Sequence, residues 1–140
     1  LHLLTNSDAS ACFKSIYKHL NNSGKFILDI LVPHPYFLYR DNNDQLPVMD
    51  FKDSVSGELV EIFERSKYDY KTEVCDIDWT YKYKKSLKKK VFNYQMRMFY
   101  PDTINRLLID SNFSISNMYG DYSMGKFSED SNLQIYICQK

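Results

Sequence analysis

A chain of 140 residues that is 44% apolar and 16% aromatic can bury a core in one domain, which excludes a disordered polymer. Its 18 Lys and Arg balance 18 Asp and Glu, so no long-range field steers it to nucleic acid or an anionic membrane, and such a partner would have to be recognised locally. No run approaches the roughly 20 apolar residues of a membrane span, and Leu1-His2-Leu3-Leu4-Thr5 carries neither a basic segment nor a long apolar one, so a cytoplasmic protein is expected.

Thr5-Asn6-Ser7-Asp8 opens an amphipathic helix, with Ser7 as the expected N-cap and Asp8 in the first turn. Ala9, Cys12, Phe13, Ile16, Tyr17 and Leu20 recur at three-and-four spacing, so one face packs while Lys14, Ser15 and Lys18 face water. Ser23-Gly24 stops the helix, Gly24 being suited to a left-handed stop. Residues 25–31 then read as a strand. Only Asp29 interrupts its apolar run, which predicts an interior strand of a parallel sheet, covered on both faces. Val32-Pro33-His34-Pro35 ends it, because proline cannot donate to a ladder.

From Tyr36 to Ser56 the pattern is irregular and polar. After Gly57 the period changes to two, and residues 59–65, 68–83 and 87–100 predict an antiparallel meander of about three strands. Pro101-Asp102 starts a short helix with Ile104, Leu107 and Leu108 as its buried stripe, ending near Asn112. Residues 113–118 and 133–138 complete the chain as two antiparallel strands around a Gly- and Ser-containing loop. Cys12, Cys75 and Cys138 are odd in number and far apart, which favours reduced, packed thiols over a disulfide or a metal site.

This order of elements resembles the C-terminal half of a class I S-adenosylmethionine-dependent methyltransferase. The residues that carry the resemblance are Leu1-His2-Leu3-Leu4-Thr5, the stretch His19-Leu20-Asn21-Asn22-Ser23-Gly24-Lys25-Phe26-Ile27-Leu28-Asp29 with Pro33, then Arg97-Met98-Phe99-Tyr100-Pro101, Leu107-Leu108-Ile109-Asp110-Ser111-Asn112-Phe113 and Tyr119-Gly120-Asp121-Tyr122. Asn112 stands where the family commonly has glycine, and Asn also visits left-handed backbone. The resemblance implies an α/β, Rossmann-like sheet to which this chain supplies the fifth, sixth and seventh strands. Residues 1–35 and 101–140 would form the core part, and residues 36–100 an antiparallel insertion acting as substrate lid or dimer surface. The first four strands, the glycine-rich S-adenosylmethionine loop and the acidic ribose-binding residue would lie in a preceding segment. The implied partners are a small-molecule methyl acceptor and either that N-terminal half or a second copy of the chain.

Methyl transfer from a sulfonium asks the protein mainly for in-line positioning and sometimes for a base, so no catalytic signature is required. In the family's layout residues 1–4 and 32–36 face the transferable methyl. His2 is then the candidate base, and a helix-entry histidine is its plain alternative. His34 and Tyr36, stiffened by prolines, are candidates for the acceptor pocket or serve as punctuation. Arg97, a charge in an alternating apolar strand, is a candidate to pair with a carboxylate on the substrate or on the protein, or else faces water. Tyr119 and Tyr122 flank Gly120 in what resembles the substrate-side loop, or pack. The lysines between Lys82 and Lys90, interleaved with Tyr81, Tyr83 and Phe92, invite a single-strand nucleic-acid reading. The acidic residues opposite favour a solvated hairpin with cross-strand ion pairs instead. A non-enzymatic interaction module built on the aromatic sheet is the alternative to an enzyme, because a strand like residues 26–31 stripped of its neighbour leaves an edge that demands a partner.

Overall fold

The computed structural model describes residues 5–140, which divide into two compact units. The first comprises residues 5–34 and 97–140, the second Pro35–Met96.

In the first unit, helix α1 (Asn6–His19) leads to strand β1 (Lys25–Leu31). The N-cap is Thr5 rather than Ser7: its Oγ1 accepts from the Asp8 amide at 3.1 Å and donates to Asp8 Oδ2 at 2.6 Å. Thr5 has extended backbone, which lets its hydroxyl reach back over the first turn, whereas Ser7 already lies inside the helix. Gly24 is not a left-handed stop either, since Leu20 closes the helix by donating to Ile16 O and Gly57 is the glycine with positive φ. Gly24 is instead a point of close approach, where a Cβ would meet Asn21 O at 3.0 Å.

Helix α3 (Pro101–Ile109) and strands β6 (Ser114–Tyr119) and β7 (Leu133–Gln139) complete this unit. The sheet order is β1-β7-β6, with β7 antiparallel to both neighbours. Among the described residues the hydrogen-bonding neighbour of β1 is the antiparallel β7, and no strand lies parallel to it on its other side, so a parallel neighbour for residues 26–31 is not seen here. Burial alternates along β1, with Phe26, Leu28 and Ile30 turned inward while Ile27 and Leu31 are about 60% exposed (61% and 57%). A continuous apolar run signals that both faces are apolar, but not which partner lies beside it. Helices α1 and α3 cover one face around Ala9, Phe13, Leu28, Ile104, Leu108 and Tyr136. Phe26 bridges Phe13 and Phe113 at ring distances of 5.7 and 5.3 Å, and Tyr17 meets Phe113 edge-on. Asn112, with φ 68°, makes the left-handed turn out of α3.

The second unit holds a short helix α2 (Pro35–Leu38) and four strands in the order β2-β3-β4-β5, namely β2 (Leu46–Lys52), β3 (Leu59–Asp69), β4 (Val74–Tyr83) and β5 (Lys89–Arg97, its last residue counted with the first unit). The sequence predicts three strands and an irregular stretch up to Ser56; β2 is the fourth. Its sequence lacks a strand's alternation because Pro47, Asp50 and Lys52 interrupt the apolar residues at an exposed edge with a bulge. Val60, Ile62, Cys75 and Ile77 are buried on one face, and α2 packs on β3. Glu64 is held there by Arg40 (2.6 Å) and Trp79 Nε1 (2.9 Å), with the Arg40 guanidinium over the Phe37 ring. The other face is a polar ladder in which Arg65 and Asn93 bind Asp78 and Gln95 donates to Asp76. Those bonds hold the Asp78 carboxyl below its ordinary range.

Candidate functional site

Because β1 and β6 each run opposite to β7, they run the same way as one another, and their C-terminal ends open at one edge of the first sheet. Ligands of α/β sheets sit outside the carboxyl ends of strands, which makes this edge the candidate site. Three connections meet there. The segment after β1 is tied to the segment before β7 by the Val32 amide donating to Asn132 O at 3.0 Å. The fully buried Gln134 then donates from Nε2 to Leu31 O (3.0 Å) and to Phe99 O (2.7 Å), fixing the entry to α3 against the end of β1. Its Oε1 accepts from the Tyr136 hydroxyl at 2.9 Å. Burial pushes the Tyr136 phenol above the ordinary tyrosine range, so this hydroxyl stays a donor.

The loop of residues 120–132 is built rather than slack. Asp121 Oδ1 accepts from the Ser123 and Gly125 amides at 2.8 and 3.0 Å, and Gly120 donates to Gly125 O at 2.8 Å. A Cβ on Gly120 would lie 2.1 Å from Ser131 Oγ, so only glycine allows the two segments to close. A cleft of about 440 Å³ lies alongside, lined by Tyr119, Met118, Ser116, Met124 and Lys126 among others.

The sequence-derived candidates separate as follows. His2 lies outside the described residues. His34 is exposed, on the Pro33 and Pro35 turn that follows β1. Arg97 is half-buried with its guanidinium 5.0 Å from the Phe99 ring centroid, a cation–π contact. Tyr119 ends β6 and bridges to Lys126 through the backbone. Tyr122 is exposed and its hydroxyl donates to Asp29 Oδ2 at 2.5 Å; that bond favours the neutral phenol and raises its pKa. His34 thus follows β1, Tyr119 ends β6 and Arg97 lies two residues before Phe99, whose carbonyl is tied to the end of β1 through Gln134, while Tyr122 turns back over the outer sheet face onto mid-strand Asp29. Tyr36, on α2, belongs to the second unit and is exposed. Gln134 and Asp29 escape sequence reasoning. A glutamine in the middle of Leu-Gln-Ile-Tyr-Ile is the one signal that could have flagged the first, as a polar residue inside an apolar strand needs buried partners.

No protein-family model matches the sequence, and no curated protein matches it. Solved structures do. The CcbJ methyltransferase of Streptomyces caelestis superposes with a TM-score of 0.81 at 18% identity, over 98% of this chain and 55% of its own. An S-adenosylmethionine-dependent methyltransferase of Clostridium acetobutylicum gives 0.74 at 18% identity, over 98% and 52%. CalS10 of Micromonospora echinaspora, an amino pentose methyltransferase solved with S-adenosylmethionine bound, gives 0.65 at 13%, over 99% and 53%. The chain has the fold of S-adenosylmethionine-dependent methyltransferases. It spans about half the length of the methyltransferases it matches.

Among the described residues no glycine stands at a turn from a strand into a helix, the place where α/β sheets commonly grip a nucleotide-like cofactor. Gly24 faces Asn21, Gly120 faces Ser131, Gly125 faces Asp121, and Gly57 sits in the β2–β3 turn, so each glycine serves a turn or a contact within the chain. Among the described residues there is also no group of three or more His, Cys, Asp or Glu able to hold a metal ion.

Proposed function

We propose that this chain is the C-terminal portion of an S-adenosylmethionine-dependent methyltransferase that methylates a small molecule, with the cofactor gripped by a preceding segment. The observation that carries this reading is the likeness to the CcbJ methyltransferase, which extends over 98% of this chain but only 55% of that protein. The edge of β1 with no described strand beside it fits a strand that further sheet continues, and Ile27 and Leu31, exposed on the outer face of β1, fit a layer packed over that face. In this reading His34, Arg97 and Tyr119 line the acceptor side of the site at the strand ends, and the second unit supplies acceptor specificity or a surface for a second copy. Gln134 is a positioning residue that holds the connections carrying them.

The test is titration calorimetry of S-adenosylmethionine against this chain and against a longer parent chain that carries a Gly-x-Gly turn upstream. Binding by the parent and none by the 140-residue chain is expected. A parent that fails to bind overturns the assignment, and tight binding by the shorter chain overturns the division of labour.

A further inference from the structure

At one end of the second sheet the β2–β3 turn (residues 53–58) and the β4–β5 turn (residues 84–88) stand side by side. Glu58 joins them, its Oε1 accepting from the Lys85 and Ser86 amides, and the Lys84 amide donates to Leu59 O at 3.0 Å. Each turn is also closed on itself. Asp53 Oδ1 accepts from the Val55 and Ser56 amides at 2.9 and 2.8 Å, and the Tyr83 amide reaches Lys88 O at 2.9 Å. The pair is therefore a platform with its backbone groups engaged.

Two properties of this platform are unused by the fold. The first is charge: residues 52–61 and 84–90 hold six lysines (Lys52, Lys84, Lys85, Lys88, Lys89 and Lys90) against Asp53, Glu58 and Glu61, an excess of three positive charges on a chain of net charge zero. Asp53 and Glu58 are turned onto backbone amides and Glu61 onto Lys84, which leaves lysines as the outward charge. The second is apolar exposure at the apices. Val55 is 95% and Leu87 81% exposed, and Leu87 also sits at φ 55°, where a leucine is strained. The turn itself asks for that conformation, as at Gly57 and Glu73 in the other two hairpins, but nothing in the fold asks for an exposed leucine there.

We propose that the paired turns are a docking surface for an anionic lipid bilayer, with the lysines meeting acidic headgroups and Val55 and Leu87 entering the interface between them. Lysines around aliphatic tips suit a membrane surface, where charge attraction and apolar insertion add. A bilayer is the better occupant than nucleic acid because the residues exposed at the two apices are aliphatic, Val55 and Leu87, while stacking needs rings: Tyr83 lies under Lys90, whose ammonium is 5.7 Å from the ring centroid, and the exposed Phe92 stands away from the tips on β5. The proposal is independent of the methyltransferase reading.

The experiment is cosedimentation of the 140-residue chain with vesicles of phosphatidylcholine alone or of three parts phosphatidylcholine to one of phosphatidylserine, at low and physiological salt. Binding to the anionic vesicles alone, weakening with salt, is expected. Replacing Lys85 and Lys88 together by Ala lowers partitioning on the order of 25-fold, at roughly five-fold per lysine near the surface. Leu87→Gly removes the apex while relieving the backbone, so it folds and still binds more weakly. The proposal is overturned by equal binding to neutral vesicles, by no binding to anionic ones, by insensitivity to either variant, or by tighter binding to a single-stranded oligonucleotide than to the vesicles.

Discussion

Replacing Gln134 by Leu tests whether one buried amide organises the strand-end edge. The side chain is fully buried and nearly the same size as leucine, so the change removes hydrogen bonds without opening a cavity. Phe99 O loses its 2.7 Å donor, and the Tyr136 hydroxyl loses its 2.9 Å acceptor and keeps only Pro101 O at 3.5 Å. Leu31 O loses a donor too, but in a part-buried setting where water can substitute. Leaving a buried polar group unsatisfied costs about 1–3 kcal/mol, so two such groups predict a loss of about 2–6 kcal/mol. Urea unfolding followed by far-ultraviolet circular dichroism would show the midpoint falling by roughly 1–2 M at unchanged slope. Tyr136→Phe alone, which strands only Gln134 Oε1, should cost about 1 kcal/mol, and in the double variant the two effects should be less than additive. A Gln134→Leu midpoint indistinguishable from the parent would refute the reasoning, because it would mean these groups find other partners.

Three further outcomes are expected. Burial pushes the Cys138 thiol from 9.0 up to about 11 and raises Tyr136 as well, so both are neutral in the fold; stability is complete below about pH 9 and falls as pH rises toward 11, and Cys138→Ala should flatten that limb in pH-dependent unfolding. Arg40→Met leaves the Glu64 carboxylate, whose side chain is 13% exposed, with Trp79 alone. A loss of about 3 kcal/mol is expected by chemical denaturation followed through Trp79 fluorescence, largely recovered in Arg40→Met with Glu64→Leu. Asn112→Gly should raise the melting temperature slightly, and Asn112→Ala lower it by the equivalent of about 1 kcal/mol, because the position holds φ 68°.

Elements whose local pattern agrees with their tertiary surroundings were legible in the sequence. Helix α3 announces itself through Pro101 and the Ile104, Leu107, Leu108 stripe, and β7 through an apolar run of strand length. Strand β2 was illegible because it is an exposed edge whose side chains need not alternate. The N-cap was misplaced by two residues because Thr5 and Ser7 both carry a hydroxyl beside Asp8, and only backbone geometry chooses between them. Of the candidate site, His34, Arg97 and Tyr119 could be nominated as residue types near strand ends, but that β1 and β6 end on the same side depends on β7 running antiparallel between them.

From its residues alone this chain had to bury α1, β1, α3, β6 and β7 as helices and strands, since hydrophobic period is a local property that water reads directly. Tertiary structure alone decided that β1 lies antiparallel to β7, with no other described strand beside it, and that Gln134 ties three connections together. It also brought the two basic turns side by side. Strand partners, buried hydrogen bonds and neighbouring turns join residues far apart along the chain, and no periodicity records which of them meet.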